Sequence, residues 1–95
     1  MFQSVYSTAD PDVQPPKLLS QGPGQPAKVM SERTRVLEVL VKRDGTVEQV
    51  LLKSTEPRLL DPILLSHAKM WQFDPAQRAG HPVAYRLELL WDSPR

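Results

Sequence analysis

The chain contains no cysteine, so neither a disulfide bond nor a thiolate metal site can form among its 95 residues. Its charges nearly cancel, leaving a formal net charge of +1, which gives no electrostatic reason to expect a nucleic acid or an anionic membrane as partner. No apolar run approaches the roughly 20 residues that a membrane-spanning helix needs. The remaining composition, 40% apolar and 24% charged, predicts one small domain with a single core.

A secretory signal is also missing at the start, because no basic region is followed there by an apolar block. We therefore expect either a cytoplasmic protein or a segment of a longer exported chain. In the second case a membrane anchor would lie outside these 95 residues.

Residues that carry chemistry are scattered along the chain. His67 and His81 have no histidine or carboxylate four residues away, whereas zinc needs three or four clustered ligands. No carboxylate pair, nucleophile elbow or phosphate loop is recognisable. We predict no metal, no cofactor and no enzymatic activity, and a small hydrolase is the weakest alternative.

Residues 1–30 are rich in proline, glycine, serine and glutamine and keep no helical or strand period. Proline fixes φ and biases the preceding residue away from the α conformation. We predict an extended lead-in that packs Val13, Leu18 and Leu19 against a sheet, with a disordered linker as the alternative. Residues 31–95 are expected to form the domain itself.

Alternation of apolar and polar residues predicts a first strand over residues 35–42, with Leu37, Val39 and Val41 on one face. The pair Asp44-Gly45 predicts a tight hairpin, since glycine tolerates positive φ. A second strand then covers residues 47–54.

Asp61 and Pro62 predict the start of a helix, because aspartate is a good N-cap and proline suits the first helical position. Apolar residues at three- and four-residue spacing form one stripe that can cover the sheet: Leu60, Leu64, Ala68 and Trp71. We expect the helix to end at Asp74-Pro75.

A last strand is predicted over residues 83–91. Because the helix carries the chain from the second strand to the third, the first strand should lie in the middle. The predicted fold class is therefore α+β: a small antiparallel three-stranded sheet in the order 2-1-3, with one helix on one face and an extended proline-rich lead-in.

In this arrangement the last strand is a long apolar edge. Such an edge aggregates unless something pairs with it, and proteins use edges of this kind to add a partner's strand. We therefore predict a partner-binding edge that comprises Val83, Ala84, Tyr85, Arg86, Leu87, Glu88, Leu89, Leu90 and Trp91.

Three stretches resemble the C-terminal domain of TonB, the energy-transducing protein of Gram-negative bacteria, and its TonB-like relatives. They are the strand and turn over residues 39–50, the segment Trp71-Gln72-Phe73-Asp74-Pro75-Ala76, and the turn Ala79-Gly80-His81-Pro82-Val83-Ala84-Tyr85. The pattern W-x-F-x-P-A followed by G-x-P-V is the most specific of these. The family commonly has a Tyr-Pro pair before the first strand, where this chain has Gln25-Pro26.

This resemblance implies a periplasmic domain held behind an inner-membrane anchor and a proline-rich spacer. It also implies a protein partner: an outer-membrane transporter whose TonB-box segment pairs alongside residues 83–91, chiefly through backbone groups, for energy-coupled transport. The alternative is a TonB-like assembly domain of a larger envelope complex that uses the same edge to form a homodimer or to dock, without energy transduction.

Overall fold

A computed structural model describes residues 4–19, 24–32, 34–54, 56 and 58–92. In these ranges the chain forms nine strands and one helix: β1 (Val5–Tyr6), β2 (Val13–Gln14), β3 (Lys17–Leu18), β4 (Gln25–Pro26), β5 (Thr34–Val41), β6 (Val47–Leu52), α1 (Asp61–Ala68), β7 (Phe73–Asp74), β8 (Ala76–Arg78) and β9 (His81–Asp92).

The three long strands stand in the order β6-β5-β9 and are antiparallel, as the sequence predicts. Val39 marks the centre of β5, since it lies opposite Val50 of β6 and Leu87 of β9. The predicted turn at Asp44-Gly45 joins β5 to β6, with Gly45 at a φ of 87°. The centre of the sheet is therefore the expected hairpin plus one crossover strand.

The prediction of a small three-stranded sheet is wrong, because the main sheet has seven strands. The additional members are β8 and three strands of the lead-in, β1, β2 and β4. Each of these three lead-in strands has only two residues. Pro15 follows β2 and Pro26 lies in β4, and proline lacks the N–H that would continue a ladder. A separate two-stranded sheet joins β3 to β7.

Within the lead-in, Val13 is buried and Leu18 packs half-buried against the core. Leu19 is exposed, contrary to expectation, although its N–H donates to the carbonyl of Gln72. Residues 1–3 and 20–23 of the predicted lead-in lie outside the described residues.

The helix begins close to the predicted position but ends earlier. Leu60 is the N-cap, and the carboxylate of Asp61 accepts a bond from the N–H of Arg58. The predicted end at Asp74-Pro75 is wrong, because α1 stops at Ala68. Beyond it Phe73 pairs with the lead-in and donates its N–H to the carbonyl of Gly45, which holds that part of the chain extended.

The core lies between one face of the sheet and α1. Its buried members are Leu37, Val39, Val41, Leu64, Ala68, Trp71, Phe73 and Trp91. The predicted inward face of the first strand is confirmed, as is the burial of Leu64, Ala68 and Trp71. A smaller cluster of Val13, Ala76 and Tyr85 extends the core beneath the lead-in.

Candidate partner-binding edge

Every residue of the predicted edge lies on β9, which is longer than predicted at both ends. Side chains alternate across this strand, so Tyr85, Leu87, Leu89 and Trp91 share the face that carries the core. Arg86, Glu88 and Leu90 therefore lie on the opposite face of the sheet.

One flank of β9 pairs with β5 from Tyr85 to Asp92. On the other flank, β8 pairs with residues 81–83, β1 with Ala84 and Tyr85, and β4 with Trp91 and Asp92. The prediction that the whole last strand presents an unpaired edge is therefore wrong. Short strands of the lead-in and of the preceding hairpin supply hydrogen-bonding partners that an apolar edge would otherwise lack.

An interruption remains in this second flank. Among the residues that the structure describes, none forms a strand beside residues 86–89 of β9 on the side away from β5. We call residues 86–89 the open stretch.

The backbone of Glu88 points out of the open stretch. The carbonyl of Val36 accepts a bond from the N–H of Lys53, on the side of β5 that faces β6. Leu90 lies opposite Val36 in the pairing of β5 with β9, so the backbone N–H and C=O of Leu90 point away from β5. The carbonyl of Leu90 accordingly accepts a bond of 2.9 Å from the N–H of Ala27. The direction of the backbone groups repeats every second residue along a strand. The N–H and C=O of Glu88 therefore also point away from β5, as those of Leu90 do.

Side chains beside the open stretch combine apolar and acidic character. Leu87 and Leu89 are half-buried at the margin of the core. Glu88 is exposed and lies opposite Glu38, whose carboxylate contacts Lys53 at 3.3 Å and Arg86 at 3.2 Å. No ion pair to Glu88 occurs in the described part of the chain.

Three side chains hold β1 against the β8–β9 hairpin, and we call Tyr6, Asp12 and Arg78 the Arg78 clamp. Arg78 donates from Nε to Asp12 Oδ2 at 2.9 Å and from Nη1 to the Tyr6 hydroxyl at 3.0 Å. Its guanidinium carbon lies 5.4 Å from the centre of the Tyr6 ring. The bond from Arg78 lowers the pKa of Asp12, and the same bond raises the pKa of Arg78.

Nothing in the sequence indicates this clamp, because Asp12 and Arg78 are 66 residues apart and neither stands in a motif. β1 itself offers one weak signal, a β-branched residue followed by an aromatic residue. Gln25-Pro26, which stands where the TonB family commonly has Tyr-Pro, forms β4 and pairs with the end of β9.

Two features, a cluster of metal ligands and a helix that could span a membrane, are absent from the residues that the structure describes. Within the described ranges, no three histidine, aspartate or glutamate side chains come together in a group that could hold a metal ion. No helix in the same ranges is long and apolar enough to cross a membrane. What the edge offers is backbone hydrogen bonding, apolar contact and one exposed carboxylate.

No protein-family model, no curated protein and no solved structure matches this chain.

Proposed function

We propose that this chain is a periplasmic interaction module of the TonB C-terminal type. It engages an extended segment of an outer-membrane transporter, or of another envelope protein, by strand addition at β9. The observation that carries this proposal is the open stretch, where the outward backbone of Glu88 has no strand beside it among the described residues. The resemblance of residues 39–50, 71–76 and 79–85 to TonB supplies the class of partner.

Strand addition at this edge would be reversible. Each backbone hydrogen bond contributes only about 1 kcal/mol net, so a short added strand binds modestly. Apolar side chains of the partner would extend the burial of Leu87 and Leu89, and a basic residue beside Glu88 would gain an ion pair. Modest affinity suits a component that must engage and release its partner during energy-coupled transport.

A peptide titration tests the proposal. A synthetic peptide carrying the TonB-box segment of an outer-membrane transporter is added to the isotope-labelled protein, and amide shifts are followed by NMR. We expect shifts to concentrate on residues 84–90, while β6, the other edge of the central sheet, changes little.

Glu88→Pro provides the decisive variant, because it removes an N–H that faces the open flank rather than β5. We expect this variant to fold and to lose the peptide shifts, whereas the control Glu88→Thr retains the N–H and binds. Normal binding by folded Glu88→Pro, or shifts confined to β6, would contradict the assignment. Absence of any shift together with concentration-dependent sedimentation would instead favour the assembly-domain alternative.

A further inference from the structure

The lead-in strand β1 lies beside the same flank on which an added strand would dock. It runs parallel to β9, with Val5 next to Ala84 and Tyr6 next to Tyr85. The open stretch begins at the following residue of β9. An added strand that extended past the open stretch at this end would therefore collide with β1.

The open stretch alone offers few backbone groups to an added strand. Only Arg86 and Glu88 can direct backbone groups outward within residues 86–89, since direction alternates along a strand. At the far end, the carbonyl of Leu90 is already bonded to Ala27. So few hydrogen bonds bind a peptide only weakly, because most of their contribution offsets the translational and conformational freedom that the peptide loses. A typical strand of about five or six residues needs the place of β1 as well.

We propose that β1 occupies part of the position that the partner's strand takes beside β9. An incoming strand must therefore displace Val5 and Tyr6 before it can pair along the whole of this flank. The proposal rests on the proposed function, and it makes the lead-in a built-in competitor that sets the affinity of the edge.

The contacts of β1 suit displacement. It has two residues, and the Arg78 clamp is exposed, with 51% of the Arg78 side chain and 59% of the Asp12 side chain accessible. Exposed pairs of this kind contribute little to stability. Behind β1, the buried Val13 of β2 pairs with Arg78 of β8 and anchors the lead-in. β1 can therefore detach from β9 when only the segment before Val13 moves.

The position of Tyr6 indicates which partner residue fits best. Its ring lies under the guanidinium of Arg78 and packs against the cluster that contains Val13 and Tyr85. A strand that replaces β1 inherits these neighbours, so an aromatic residue at this place would recover both the apolar contact and the cation–π contact.

A reversible disulfide lock tests displacement in the full chain. The double variant Val5→Cys/Ala84→Cys places two thiols on neighbouring strands, and the chain has no other cysteine that could compete. We expect the oxidised form to bind the TonB-box peptide at least about tenfold more weakly than the reduced form of the same variant. The matched control Gln14→Cys/Gln77→Cys locks β2 to β8, and its oxidation should leave affinity unchanged.

Two further measurements separate this proposal from the proposed function. Tyr6→Ala removes the contacts of this side chain with Arg78 and with the cluster around Val13, which weakens the attachment of β1. We expect this variant to bind the peptide several-fold more tightly. Without peptide, the amide of Tyr6 should exchange with solvent through local opening, far faster than the amide of Val39 in the central strand. Oxidation of the Val5→Cys/Ala84→Cys variant should slow the exchange of the Tyr6 amide.

Equal peptide affinity in the oxidised and reduced forms would overturn displacement and leave strand addition standing. Exchange of the Tyr6 amide only by global unfolding would overturn displacement whether or not the peptide binds. If the peptide binds neither the reduced form nor Tyr6→Ala while Tyr6 opens locally, strand addition fails, and β1 has nothing to compete against.

Discussion

Arg35 and Asp61 form a buried two-point ion pair that fastens the central strand to the start of the helix. Nε and Nη2 of Arg35 each donate to one carboxylate oxygen of Asp61 at 2.9 Å. Only 3% and 7% of the two side chains are exposed. Arg35 also donates to the carbonyl of Glu56, and Asp61 accepts from the N–H of Arg58. Both charges are thus compensated away from water, as buried charges must be.

Removing one partner should leave the other charge buried and uncompensated. We expect Asp61→Ala to lower the free energy of unfolding by about 3–5 kcal/mol, measured by urea denaturation at neutral pH. The control is Glu56→Ala, which removes a side chain that is 85% exposed and 3.9 Å from Arg58. That change should stay within about 0.5 kcal/mol. Equal, small losses in the two variants would show that the buried pair does not hold α1 in place.

The central sheet was predictable because its signals are local and periodic. Two-residue alternation identified β5, β6 and β9, and the helical crossover determined their order. The short strands were not predictable, because two residues carry no period and become a strand only when a tertiary partner lies beside them. Helix length was overestimated for a related reason, since Trp71 satisfies the apolar spacing although it lies beyond the end of α1 at Ala68.

The candidate site was predictable only in part. Sequence indicated which strand carries the edge, but which of its residues stay open depends on where the lead-in lies. That position follows from contacts such as Ala27 with Leu90 and Asp12 with Arg78, which join residues far apart in the chain. Such pairings depend on tertiary proximity and leave no pattern in a single sequence.

Position 45 needs a glycine for two reasons: the carbonyl group of Phe73 lies close to it, and its backbone φ is positive. A Cβ at this position would clash with the carbonyl oxygen of Phe73, whereas a Cβ at Gly80 would meet nothing within 4 Å. Both glycines have positive φ, 87° and 80°. We expect Gly45→Ala to cost about 1–3 kcal/mol more than Gly80→Ala in thermal or urea unfolding, because the two variants share the conformational strain and differ in the clash. Similar losses of stability in Gly45→Ala and Gly80→Ala would show that the clash with Phe73 does not contribute.

The Arg78 clamp predicts a pH response confined to acidic conditions. Because the bond from Arg78 lowers the pKa of Asp12 below its ordinary value of 3.8, the carboxylate stays ionised at neutral and mildly acidic pH. The contact is therefore present above pH 3.8 and is lost as pH falls through the lowered pKa. Carboxyl NMR titration of Asp12 should show this pKa rise towards the ordinary value in Arg78→Gln. An unchanged titration curve would mean that the clamp does not form in solution.

Trp91 was a candidate contact residue by its position near the end of the predicted edge, but it is only 1% exposed, and its ring centre lies 4.6 Å from that of Trp71. We expect Trp91→Ala to lower the free energy of unfolding by about 3–5 kcal/mol, because it leaves a large cavity beside Trp71 in the core. Met70→Ala, at a residue 77% exposed, should change stability by less than about 0.5 kcal/mol. Urea denaturation followed by far-UV circular dichroism measures both. If Trp91→Ala kept its stability and lost only peptide binding, this indole would be part of the docking surface rather than of the core.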